Sequence, residues 1–180
     1  MDLKLFNADR RNVITTFHQP QNLSSRPTFA EVDLEALRHN VGLLKERSQG
    51  RLFLAVIKDN GFGHGIGPSA KAVLEAGADR LGVCTLEEAA ILREEGLTVP
   101  IHLLTPILES QAFEVLKLDV VPAVSSISVA CSLNEAAARL NKKIKVHLKV
   151  DTGLHRFGVL PEKTLPLCEA VYHKPYLVWE

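Results

Sequence analysis

The chain lacks an excess of charge, a cysteine pattern and any long apolar run, and each absence excludes something. Its 21 Lys and Arg residues balance 21 Asp and Glu. That neutrality leaves no electrostatic reason to expect nucleic acid or an acidic membrane as partner. Cys84, Cys131 and Cys168 are odd in number and widely spaced, which fits neither a disulfide framework nor a metal-ligand spacing. They read as reduced core residues of a cytoplasmic protein, with no metal site implied. No apolar stretch approaches membrane-spanning length, and the N-terminus has no apolar core of a secretory signal. What is present is a globular composition, 46% apolar and 23% charged over 180 residues, enough for one domain with a proper core.

Residues 1–26 carry no sustained periodicity and end in Gln19-Pro20-Gln21-Asn22-Leu23-Ser24-Ser25, so they read as an extension and linker. Residues 27–180 are orderly. Leu34, Leu37, Val41 and Leu44 recur at helical spacing and predict a helix over 34–48. A strand over 52–58 follows, then a helix over 69–76 stopped by Gly77 and a strand over 80–84. Thr85-Leu86-Glu87-Glu88 is a capping box opening a helix that ends near Gly96. Strands over 100–104, 120–124 and 144–150 alternate with helices over 107–116 and 128–140. Pro161 suits the first turn of a helix running to Tyr172, and a sixth strand runs from Tyr176 to Trp179.

Alternating strands and helices over short connections predict parallel β/α units. Six strands suit a complete doubly wound sheet. A closed barrel needs eight, so strand count alone favours the sheet.

The chemistry gathers at strand ends. The run Leu52 to Ile57 delivers Lys58 to a C-terminal end, directly before Asp59-Asn60-Gly61-Phe62-Gly63-His64-Gly65-Ile66-Gly67. A lysine desolvated there can lose its proton and attack a carbonyl to form a Schiff base; it can also snorkel to solvent. The glycine loop is neither a P-loop nor a dinucleotide fingerprint, and either a turn or a phosphate approach site accounts for it. His64 reads as a locally bonded loop residue or a general base. In Ile144-Lys145-Val146-His147-Leu148-Lys149-Val150 the period of two puts Lys145, His147 and Lys149 on one face, a polar face inside a parallel sheet. Arg156 follows on the same rim. Lys149 and Arg156 can equally form a surface salt-bridge network with Asp151. His102 and His147 read as satisfied interior groups, and Glu87, Glu88, Glu94 and Glu95 as a solvated helix face.

Four segments together resemble the bacterial alanine racemase family, in the right order. They are Ala30-Glu31-Val32-Asp33-Leu34-Glu35-Ala36-Leu37-Arg38-His39-Asn40, Val56-Ile57-Lys58-Asp59-Asn60-Gly61-Phe62-Gly63-His64-Gly65, Leu74-Glu75-Ala76-Gly77-Ala78-Asp79-Arg80-Leu81, and Leu148-Lys149-Val150-Asp151-Thr152-Gly153-Leu154-His155-Arg156-Phe157-Gly158. The resemblance covers 26–180. It implies an incomplete (β/α) TIM-type barrel, about six of eight units, in place of the doubly wound sheet. It implies pyridoxal phosphate as cofactor, with Lys58 as its attachment point and a catalytic base. Phe62 and Arg156 would contact the cofactor, Arg156 would also orient the substrate carboxylate, and Lys149, carbamylated in some members, would orient Arg156.

The implied reaction interconverts L- and D-alanine, supplying D-alanine for peptidoglycan, in an enzyme that is homodimeric when complete. Two residues depart from the family pattern: Asp59 stands where a small residue is usual, and Phe62 where a tyrosine is usual. The family's remaining strands and second domain would lie beyond Glu180, so the expectation is a first part that is inactive alone. A racemase for another amino acid such as serine, and a non-catalytic partner-binding partial barrel, are the competing expectations.

Overall fold

The computed structural model describes residues 30–180; the extension expected over 1–26 lies outside the described residues. Helix α1 (Leu34–Arg47) begins where Asp33 accepts hydrogen bonds from the backbone N–H groups of Glu35 and Ala36, both at 3.0 Å. Such a cap satisfies donors that have no partner within the helix. Lys45 and Arg47 in its last turn suit the negative end of the helix dipole, and Leu34 and Val41 face inward. Strand β1 (Leu54–Val56) is followed by α2 (Lys58–Phe62), a single turn, and by α3 (Ile66–Glu75). Strand β2 (Arg80–Val83) leads to α4 (Leu86–Glu94), opened by the expected capping box between Thr85 and Glu88.

The units then repeat: β3 (Ile101–Leu103), α5 (Ala112–Lys117), β4 (Val120–Val124), α6 (Ile127–Arg139), β5 (Ile144–Leu148), α7 (Thr164–Tyr172) and β6 (Leu177–Trp179). Two helices start later than their sequence-based bounds. Short 3-10 turns, Glu109–Gln111 and Pro161–Lys163, precede α5 and α7. The first is stitched by Gln111, whose side chain accepts from the Leu108 N–H. In the second, Pro161 lacks the donor a longer helix would need upstream. Helix α3 starts three residues earlier than periodicity suggested, because Asn60 accepts from the Ile66 N–H at 2.9 Å and takes over one unpaired donor.

All six strands are parallel and lie in the order β1-β2-β3-β4-β5-β6. This order overturns the doubly wound sheet that strand count favoured, since that architecture reverses its order at a switch point. Six consecutive neighbours with no reversal make an arc of a barrel. Curvature is visible in side-chain contacts. Neighbouring strands lie about 4.8 Å apart, so β2 and β6 would be separated by roughly 19 Å in a flat sheet. Arg80 of β2 nevertheless forms an ion pair with Glu180, just past β6. Likewise His102 of β3 and His147 of β5 stack across the intervening β4 with ring centroids 5.4 Å apart. These residues stand on the concave face.

The convex face carries the apolar core. Leu81 and Val83, Ile101 and Leu103, Val120 and Val124 are buried there and meet the inward sides of the helices. Helices α3 and α4 contribute Val73, Ala89 and Leu92, and α5 and α6 contribute Val115, Ala130 and Leu133. On the concave side Gly82 permits close approach. A Cβ at that position would stand 2.7 Å from a methyl of Leu54 and 3.1 Å from one of Leu104. A side chain there would displace the lining of β1. Among the described residues no helix is long and apolar enough to cross a membrane.

Candidate active site

The C-terminal ends of the strands form one rim, where parallel β/α folds place their chemistry. Strand β1 ends at Val56, two residues short of the sequence-based bound, so Lys58 stands on the turn that leaves the sheet. That turn is unusual. Asp59, Asn60, Gly61, Phe62 and Gly63 have φ of 53°, 55°, 63°, 54° and 86°, five successive residues with positive φ. Such a backbone is unfavourable for L-residues other than Gly, with Asn and Asp the most tolerant, which accounts for every residue type of the run except Phe62. The turn is tied down at both ends. Glu88 of α4 accepts from the Asp59 N–H at 2.5 Å, and Asn60 accepts from the Ile66 N–H. At its centre Gly61 packs over Ser69 of α3, whose buried hydroxyl oxygen lies 2.8 Å from where a Cβ would be.

Lys58 lines a pocket of about 210 Å³ together with Val56, Cys84, Thr105, Lys149 and Arg156, and the exposed side chains of Leu154 and Phe157 also line it. The fold therefore brings Lys58, Lys149 and Arg156 to one cavity, although the last two are nearly a hundred residues from the first. Phe62 joins them from the side: the Lys58 Nζ sits 5.4 Å from its ring centroid, within cation–π range. Asp59 forms an ion pair with the Lys58 amine. That hydrogen bond, with the carboxylate charge beside it, holds the Lys58 amine above its ordinary pKa, against a smaller opposing effect of burial. Of the two readings the sequence leaves open, the structure fits the lysine that reaches solvent: the side chain is 37% exposed, and Asp59 favours its charged form.

Arg156 reaches the rim through a loop built around Asp151. The Asp151 carboxylate accepts from the N–H groups of Gly153 and His155, both at 3.0 Å, and also approaches the His155 ring. Those backbone bonds keep its carboxyl below the usual range. Asp151 is consequently spent on loop geometry and does not form the salt-bridge network with Lys149 and Arg156 that the sequence left open. The loop returns to the sheet through a bridge between Val150 and Val159, which fixes both ends of the segment that carries Arg156. The Arg156 guanidinium lies 5.4 Å from the Phe157 ring.

Beneath the rim the polar face of β5 is present as the alternation required. His147 pairs in register with Ala123 of β4, and His102 with Val121, which puts both imidazoles on the concave side. Arg80 lies 3.2 Å from His102 Nε2. A guanidinium only donates, so that nitrogen accepts and His102 Nδ1 carries the proton, which it donates to His147 Nδ1 at 3.3 Å. Burial first, then the proximity of His147 and Arg80, pushes His102 down to about 4. His102 is thus partnered at both ring nitrogens, and the half-buried His147 at Nδ1. Lys145, on the same face, pairs with Glu180 at 2.8 Å.

Other residues stand differently from their sequence reading. Glu88 is no member of a solvated face, since its two oxygens accept from Cys84 and Asp59. Glu95 pairs with Lys71 of α3 at 2.9 Å. The three cysteines are free but only partly buried, and Cys84 is a pocket residue whose thiol burial pushes up. His64 stays in the loop, its N–H donating to the Gly61 carbonyl, with no contact to Lys58. Cys84, Thr105, Leu154 and Phe157 were not singled out from the sequence. The capping box identified Glu88 as a cap, while its second bond, across 29 residues of chain, has no local signal.

Comparison with known proteins yields a consistent result. Residues 32–180 match the family described as alanine racemase, N-terminal domain. Over 148 residues the chain is 43% identical to an alanine racemase of Halothermothrix orenii, covering 82% of this chain and 39% of that protein. An alanine racemase structure from Clostridium difficile 630 superposes with a TM-score of 0.77 at 30% identity, covering 82% of this chain and 39% of that one. A histidine racemase structure from Leuconostoc mesenteroides subsp. sake superposes with a TM-score of 0.75 at 31% identity, covering 81% and 39% respectively. The chain spans about two fifths of the length of these relatives.

Proposed function

The chain belongs to the family of alanine racemase N-terminal domains, and we propose that it forms the cofactor-bearing part of a pyridoxal phosphate-dependent racemase interconverting L- and D-alanine. The observation that carries this reading is the convergence of Lys58, Lys149 and Arg156 on one pocket at the C-terminal rim of a parallel barrel arc. The donor set fits the cofactor. A primary amine for covalent attachment faces a guanidinium and a second amine suited to anionic oxygens, between the apolar walls of Leu154 and Phe157. When bound, pyridoxal phosphate supplies an aromatic electron sink that stabilises negative charge at a substrate α-carbon.

The residues divide the remaining work. Lys58 would hold the cofactor, and its free amine would accept or return the α-proton at Nζ on its own side of the substrate. Arg156, anchored by the Asp151 loop, contacts the cofactor and orients the substrate carboxylate. Lys149 sets the position of Arg156. Two like charges on one wall repel, and carbamylation of Lys149 would exchange that repulsion for attraction. Phe62 packs beside Lys58 and offers a ring face without a hydroxyl. A second base on the opposite side would come from a partner subunit in a homodimer, acting on a small amino acid in the cytoplasm and supplying D-alanine for peptidoglycan.

Addition of pyridoxal phosphate to the purified chain, borohydride reduction and peptide mapping test the reading directly. The expected result is label on Lys58, lost in Lys58→Ala. Absence of label, or label elsewhere, overturns it. The likeness to a histidine racemase favours one narrower alternative, a different amino-acid substrate. Racemisation assays with alanine, serine and histidine in the complete enzyme distinguish these.

A further inference from the structure

Lys58 has a carboxylate for a neighbour, and the fold aims that carboxylate at the amine. Consecutive residues of a strand point to opposite faces, so a lysine and the aspartate after it would ordinarily diverge. Here the left-handed backbone at Asp59, with φ 53° and ψ 49°, turns the Asp59 side chain back towards Nζ, and the two form an ion pair. Glu88 fixes this geometry from another element by accepting from the Asp59 N–H. The other titratable and charged groups around Lys58 are Cys84 from the end of β2, Lys149 and Arg156 from beyond β5, and Glu88 from α4. The Glu88 oxygens are occupied by the backbone N–H groups of Asp59, Cys84 and Thr85. Asp59 is therefore the carboxylate that touches the amine.

We propose that Asp59 is a charge-holding residue for Lys58, keeping it as an ammonium and delaying its condensation with a carbonyl compound until higher pH. The proposal rests on the reading of Lys58 as the cofactor-bearing lysine. Condensation needs the neutral amine. One proton must leave Nζ for water before the lone pair can form a bond to the carbonyl carbon. The remaining two N–H protons then depart with the carbonyl oxygen as water. Asp59 opposes the first of these losses and has no direct part in the second. The raised pKa of the amine, due first to its hydrogen bond with Asp59, agrees with this.

Two measurements on the full chain keep this inference separate from the reading beneath it. Lys58 is read without any cofactor by isotope-labelled reductive methylation and an NMR pH titration, its signal assigned by its loss in Lys58→Arg. Asp59→Asn removes the charge while suiting the left-handed backbone. The Lys58 midpoint is expected to move to lower pH in Asp59→Asn and to return towards the original in Asp59→Glu. An unchanged midpoint in Asp59→Asn overturns the proposal.

The second measurement is the rate at which pyridoxal phosphate attaches near neutral pH. The strength of exposed ion pairs sets the expectation at about two- to fivefold faster in Asp59→Asn, a gain that vanishes once both amines are neutral. Equal or slower attachment to Lys58 overturns the proposal. Failure of attachment in both proteins overturns the cofactor reading instead, and the NMR titration then decides the role of Asp59 alone.

Discussion

Strands β4 and β5 are neighbours in one sheet, yet they are built on different rules. Every residue of Val120-Val121-Pro122-Ala123-Val124 is buried, as expected where both faces of a parallel strand are covered. In Ile144-Lys145-Val146-His147-Leu148 burial is complete only at Ile144 and Val146, while Lys145, His147 and Leu148 retain exposure. The convex side of β5 joins the helices; its concave side looks into a lumen furnished with charge. The difference shows that one strand can serve packing with one face and chemistry with the other, because side chains alternate strictly. It also explains why polar residues in a parallel strand point to a site.

The largest expected effect breaks the comparison at β4. Val124→Lys would put an unpaired ammonium among fully buried residues, costing more than about 4 kcal/mol. Loss of the cooperative thermal transition by circular dichroism checks this.

A middle-sized effect belongs to the lumen. The folded pKa of His102 lies near 4, below its unfolded value of 6.5, so between those values the unfolded chain binds the extra proton. Stability is accordingly present above pH 6.5 and is lost as pH falls towards 4. The loss is on the order of 3 kcal/mol, and denaturant midpoints measured across that window should show it. A His102→Gln variant should flatten the slope. The smallest effect is Lys145→Ala, where an exposed lysine gives up its pair with Glu180. A change under about 1 kcal/mol, reduced further by salt, is expected in the same denaturant titration.

The sequence made local features legible and left distant ones hidden. The helix over 34–47, the capping box at Thr85 and the polar face of β5 follow from periodicity and short-range hydrogen bonding. The sheet order did not follow from strand count, because a complete doubly wound sheet and a barrel arc have the same local pattern. Family motifs favoured the arc, and the order β1 to β6 agrees with them. The left-handed turn after Lys58 was invisible, since Asp59 and Asn60 take positive φ only where Glu88 and Ile66 hold them. The role of Asp151 was hidden for a related reason. A carboxylate near two cations in sequence suggests a salt bridge, whereas backbone donors of its own loop were closer.

The unbroken strand order has a kinetic consequence. Each ladder joins consecutive units, Leu54 with Arg80, Leu81 with Ile101, Ile101 with Val120 and Ile144 with Leu177, so no pairing waits for a distant part of the chain. Loop closure for each step is short, and the entropy spent on it is modest. During synthesis every new strand emerges to find its neighbour already made. Growth can proceed in one direction, like courses of brick, with the Lys58 turn laid after β1 and the Arg156 loop added four strands later, after β5.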